Sequence, residues 1–216
     1  MKRISITWLL LLLITAGSFA QSADAALQGA VAKLDKAASV KDYESLEKEF
    51  ITLAASQKSS WLPYYYAAFC NAKIGFLYKE DGERIEPYSV RGEEQLAKAQ
   101  SLLDTIRQKQ ELAEVYTVYS MVYRTKVFIN PMTYGRRYGT LSDKFMKQAL
   151  QLDPQNPRAL YVQAWVKYAT PRMWGGDKQQ ARELAEKSLS RLKNGSTGVA
   201  PHWGKTEDEE LLNKLK

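Results

Sequence analysis

The chain holds one cysteine, Cys70, and one histidine, His202, in 216 residues. A lone cysteine cannot close an internal disulfide, so stability has to come from core packing. A structural zinc site would need further ligands converging on His202, and no such spacing is present. A Ser-His-Asp triad would have to recruit the same tail histidine, and no nucleophile motif accompanies it. Phosphate-cradling and dinucleotide-binding glycine patterns are also missing. We therefore expect no cofactor, no metal and no catalytic residue. A carboxylate-based hydrolase stays as the weakest alternative, because its paired acids lie far apart along a chain. Glu93 and Glu94 read as an ordinary charged helix face.

Long apolar runs are equally scarce. Only the first twenty residues hold one, from Trp8 to Ile14. Lys2 and Arg3 precede it, and Ser18-Phe19-Ala20 offers small residues where a processing enzyme cuts. This is the layout of a secretory signal peptide over residues 1–20, with Gln21 opening the mature chain. Gln21 is not cysteine, so no lipid attachment is expected there. The reading places the protein outside the cytoplasm, in the periplasm or secreted, with no stable membrane span after cleavage. The formal net charge is +7, or +5 without Lys2 and Arg3. Its charges are interspersed, and no dense Lys/Arg run argues for nucleic acid.

What the chain does have is helix punctuation. Ala23 to Ala38 forms an amphipathic pattern. Tyr43, Leu46, Phe50, Leu53 and Ala54 follow at helical spacing behind Asp42, read as an N-cap. Trp61 to Lys79 predicts a strongly apolar third helix with Pro63 in its first turn, where proline is tolerated. Cys70 lies inside it and reads as a small buried hydrophobe. Residues 81–89 read as a loop holding Gly82 and Pro87, and 93–108 as a fourth helix. Glu111 to Phe128 is the fifth, ended by Asn130-Pro131. Residues 133–139, TYGRRYG, read as a loop before a helix over 142–153. Asn156 and Pro157 open the next helix as N-cap and first residue. After PRMWGGD, Asp177 caps a helix over 178–192, with Gln180 placed for a capping box. A final helix follows Thr206, with Glu209 completing its box. No segment shows sustained strand alternation, so the fold is expected to be all-α.

Several of these helices resemble the tetratricopeptide repeat (TPR). Tyr116, Tyr119, Ser120 and Tyr123 fit the first helix of that motif. Met146, Ala149 and Pro154 fit the second, with Ser142 at its first small position. Leu160 and Ala164 fit a further first helix, where Gln163 and Lys167 depart from the pattern. Ala181 and Ser188 fit the small positions of its partner, and Tyr64 with Ala68 fit loosely. The likeness covers residues 61–193 and is clearest over 111–193. It resembles the divergent exported TPR-like proteins of Gram-negative bacteria, and the Pro-Gly-Gly-Asp element is similar to one in periplasmic subunits that accompany transporters. The resemblance implies a single domain over 21–216, a right-handed stack of antiparallel helix pairs forming an α-solenoid.

Such a scaffold holds partners, so we expect a non-catalytic protein or peptide binder in the cell envelope. The alternative is a small-ligand or lipid-binding accessory subunit of a transport system, marked by an enclosed apolar pocket. Candidate contacts lie in two groups. Tyr134, Arg136, Arg137 and Tyr138, with Arg172 and Trp174, combine guanidinium and aromatic groups in two long connections. Three arginines there suit an acidic partner. Tyr161, Trp165 and Tyr168 form the second group, on a concave helical face.

Overall fold

The computed structural model describes residues 24–192 and 198–216. The expected signal peptide lies outside these residues. Within them the chain is helical and holds no strand. A helix over 24–34 (α1) is followed by α2 (Val40–Ser56), α3 (Leu62–Leu77), α4 (Glu86–Ser101) and α5 (Lys109–Ile129). Then come α6 (Pro131–Leu152), α7 (Pro157–Ala169), α8 (Lys178–Leu192) and α9 (Lys205–Lys214). None of the described helices is long and apolar enough to cross a membrane.

The helix α3 organises the rest. Eleven of its sixteen residues are buried, among them Tyr65, Tyr66, Phe69, Cys70 and Ile74. A helix apolar on all sides has to be enclosed, and α2, α4 and α5 pack around it. Cys70 is fully buried, and burial pushes its thiol well above its ordinary pKa. Small residues set the closest approaches. Gly75 of α3 leaves no room for a Cβ beside Thr125 of α5, and Gly92 of α4 lies tight on Val122. Ser120 and Ser142 share a hydrogen bond of 3.1 Å across α5 and α6. Ala149, Ala164 and Ala181 are completely buried, as the small-residue pattern requires. A polar knot ties α2, α3 and α4 together: the Asn71 and Gln95 amides and Arg91 all donate to Glu47.

Caps explain most boundaries. Asn156 accepts from the Ala159 N–H at 2.9 Å, and Asp177 from that of Gln180 at 3.0 Å. Several boundaries differ from the sequence expectation. Ser39 is the N-cap of α2, and Asp42 sits three residues inside, completing a capping box. α4 runs from Glu86 to Ser101 rather than over 93–108, because Pro87 falls in the first helical turn instead of ending a loop. The stretch Tyr134, Arg136, Arg137, Tyr138 is helix, not loop. Asn130 caps α6 by accepting from Thr133, Pro131 opens it, and neither Gly135 nor Gly139 leaves the right-handed region. The cap of α9 is Gly204 with Glu207, two residues before the expected Thr206 and Glu209. Gly204 has φ of 116°, a conformation that disfavours any side chain.

Candidate functional site

The C-terminal segment folds back across the first half of the chain and creates a cleft of about 870 Å³. α3 supplies its floor. Tyr66, Phe69, Lys73 and Phe76 recur every three or four residues and form one stripe of that helix. α1 contributes Val31 and Leu34, and α7 contributes Tyr161 and Trp165, one turn apart. The last wall is the segment His202–Gly204 with the Glu207, Glu210 and Lys214 face of α9.

The lining is aromatic. Phe69 and Trp203 have ring centroids 4.6 Å apart, and Phe76 and Trp165 meet edge to face at 5.0 Å. Tyr161 meets Trp203 edge to face at 6.3 Å. Flat rings held at such angles offer stacking surfaces to a planar apolar guest.

A buried polar chain behind the cleft holds Trp203 in place. Its indole N–H donates to the Tyr65 hydroxyl at 2.8 Å, and that hydroxyl donates to Glu114 at 3.2 Å. Arg158 grips the Glu114 carboxylate through Nε and Nη2, at 2.7 and 2.6 Å, and Asn156 donates to it as well. Burial opposes the Arg158 charge, but Glu114 more than offsets this and raises its pKa. Burial, with the nearby Glu114, keeps the Tyr65 hydroxyl protonated. Tyr66 adds a second tie by donating to the Val199 carbonyl at 2.8 Å.

His202 has both ring nitrogens against protein oxygens, Nδ1 2.9 Å from the Ala200 carbonyl and Nε2 3.1 Å from the Asp35 carboxylate. It therefore straps the tail to the end of α1 and aims no free nitrogen into the cleft. Tyr43, another lining residue, commits its hydroxyl to the Ala37 carbonyl at 3.0 Å. Among the described residues no three His, Cys, Asp or Glu side chains gather as metal ligands.

The structure separates the two groups of candidates. Tyr161 and Trp165 line the cleft, while Tyr168 lies further along α7 with Lys178 over its ring and does not. Tyr134 and Tyr138 pack against each other on the first turns of α6, and Tyr138 stacks on Tyr123. Arg136 and Arg137 are exposed beside them. Arg172 and Trp174 stand in the connection after α7, where Trp174 is 73% exposed. Sequence reasoning missed Phe69, Lys73, Phe76 and Trp203. The readable signal was a lone lysine set among apolar residues on α3, in register with the aromatics.

An all-helical bundle with an aromatic cleft is the class of protein that this geometry defines. Among solved structures, the HusA haemophore from Porphyromonas gingivalis superposes with a TM-score of 0.75 at 31% identity, over 88% of this chain and 90% of that one. The chain belongs to the family of that haemophore. No family model and no curated protein matches it.

Proposed function

We propose that this protein is an exported, non-catalytic binder that takes a haem-type ligand into the aromatic cleft. The observation that carries the reading is the cleft itself, with Phe69, Phe76, Tyr161, Trp165 and Trp203 around about 870 Å³. That space lies in the range of small-molecule sites. A flat tetrapyrrole edged by carboxylates matches a site with ring faces inside and lysines at its rim, among them Lys36, Lys79, Lys205 and Lys214. The haemophore in the same family supports the choice of ligand. Among the functions weighed on sequence, this is the small-ligand alternative, for which an apolar pocket was the distinguishing feature. The protein's place outside the cytoplasm, periplasmic or secreted, rests on the signal-peptide pattern of residues 1–20. A TPR-like stacking of helix pairs remains part of this proposal, and the packing of α5 on α6 and of α7 on α8 supports it.

Titration of the purified mature protein with haem tests the proposal. Quenching of the cleft tryptophans, together with a saturable shift of the haem absorption band, is the expected result. Absence of both overturns it.

A second reading, capture of an acidic protein partner, is favoured by exposed groups outside the cleft. Met132, Met173 and Trp174 are 95%, 82% and 73% exposed. They neighbour Arg136, Arg137 and Arg172 in sequence. Exposed apolar and guanidinium groups of this kind serve protein contacts. The two readings are compatible, since a carrier has to hand its ligand to something.

A further inference from the structure

Lys73 is unlike the other lysines of the cleft. Lys36, Lys79, Lys205 and Lys214 are exposed, whereas the Lys73 side chain is only 25% exposed. It projects between Phe69 and Phe76, with its ammonium 5.9 Å from the Phe69 ring centroid. Burial opposes its charge, but Glu207 and Tyr43 more than offset this and keep its pKa above the ordinary value. The ammonium is therefore charged inside an aromatic cleft. Its partner is the Glu207 carboxylate, at 3.1 Å. The other Glu207 oxygen accepts from the Gly204 N–H at 3.2 Å. A carboxylate held by one ammonium and one backbone N–H, beside a wall of rings, is already bound in this cleft. It happens to belong to the protein.

We propose that Lys73 is the anchor for a carboxylate of the cleft's ligand, and that Glu207 occupies this anchor until the ligand displaces it. This rests on the haem-type reading above and specifies which end of such a ligand lies deepest. The exchange leaves the charge beside Lys73 unchanged, so the ammonium is never left unpaired. Glu207 lines the cleft with its side chain 23% exposed, so the displaced carboxylate has a path to water. Displacing it does not require α9 to leave, because Asp208 and Leu211 hold that helix by their own burial, Leu211 in a cluster with Ala164 and Ala185. The device makes the site selective. A neutral analogue of the same shape cannot replace the Glu207 carboxylate, and one that covers Lys73 strands the ammonium.

The test compares haem with its dimethyl ester on the full mature chain, following tryptophan quenching. The parent should bind the diacid about tenfold more tightly than the ester, as for one charge-assisted hydrogen bond. Glu207→Gln should tighten the diacid several-fold and leave the ester unchanged, since the competing charge is gone. Lys73→Met should weaken the diacid to the level of the ester. Equal affinity of acid and ester in the parent overturns the inference. So does a Glu207→Gln variant that binds the diacid no better than the parent. Neither outcome depends on whether Lys73→Met folds. Binding of both probes with equal strength refutes the anchor alone, whereas binding of neither refutes the haem-type reading and the anchor with it.

Discussion

Ser188 has one hydroxyl hydrogen and touches two oxygens, the Pro157 carbonyl at 2.8 Å and Oδ2 of Asp208. The carbonyl can only accept. Both bonds therefore form together only when Asp208 carries a proton and donates it to Ser188. This relay joins α9 to α8 and to the first turn of α7, on the side of α9 opposite the cleft. Asp208 is fully buried, and Oδ1 has no hydrogen-bond partner. Burial pushes its pKa up to about 7, against the pull of Ser188 and with help from Glu207 and Glu209.

A pH dependence follows. The unfolded chain loses this proton near the ordinary value of 3.8, the folded one near 7. Between these values the folded state binds more protons, so this group's contribution to stability falls as pH rises, and it levels off above about 7. Asp208→Asn keeps a donor for Ser188 without the charge. Urea unfolding should show the variant equal to the parent near pH 5 and more stable at pH 8.5, by on the order of 1–3 kcal/mol. A parent whose stability rises across that interval while the variant stays level would contradict the relay.

The ion pair behind Trp203 gives a second test. Arg158 and Glu114 are both nearly buried, at 12% and 8% side-chain exposure. Arg158→Met leaves a buried carboxylate with only Tyr65 and Asn156, and should cost about 3–5 kcal/mol. Because Glu114 anchors Tyr65 and Tyr65 anchors Trp203, the emission of Trp203 should also shift in the folded variant. Glu114→Gln with Arg158→Met should recover part of the loss, measured as a double-mutant cycle.

Much of the fold was legible because local rules and tertiary packing agree. Asn156-Pro157 and Asp177 stop and start helices by capping chemistry that needs no distant partner. The errors came from residues with two readings. Pro87 and Pro131 looked like breakers, yet each sits in a first turn, where a missing N–H costs nothing. Gly135 and Gly139 suggested a loop but lie in a helix whose neighbour, α5, supplies the packing. The cleft was harder to read. It needs α1, α3, α7 and the tail to meet, and the ties that bring them together, such as His202 with Asp35, span more than 160 residues. No periodicity reports a contact of that separation. Tyr161 and Trp165 were found because they share a helix face, and Trp203 was missed because it lies on no helix.

The buried alanines test the packing register. Ala149 and Ala164 have no exposed surface and sit where neighbouring helices approach closely. Replacing either with leucine adds three carbons where no space exists, and should cost about 1–3 kcal/mol. Ala149→Leu strains the main core, and Ala164→Leu the smaller cluster with Ala185 and Leu211. Thermal unfolding measures both, and an unchanged midpoint for either would mean that its interface opens freely.

The last prediction separates the two binding surfaces. Trp165 forms part of the cleft wall with Phe76, whereas Arg136 and Arg137 are exposed on α6 and do not line it. Trp165→Leu should weaken haem by about tenfold, close to 1.4 kcal/mol, through loss of a ring face. Arg136→Ala with Arg137→Ala should leave haem affinity unchanged, because no ligand group in the cleft is near them. The same double variant should weaken capture of an acidic envelope protein, which depends on paired hydrogen bonds from guanidinium groups. Unfolding curves have to match the parent for the comparison to hold. Loss of haem binding in the arginine variant at unchanged stability would place the ligand on α6 and refute the cleft. Equal partner capture by that variant would remove α6 as a docking surface and leave the exposed Met173–Trp174 turn as the place where a partner meets the protein.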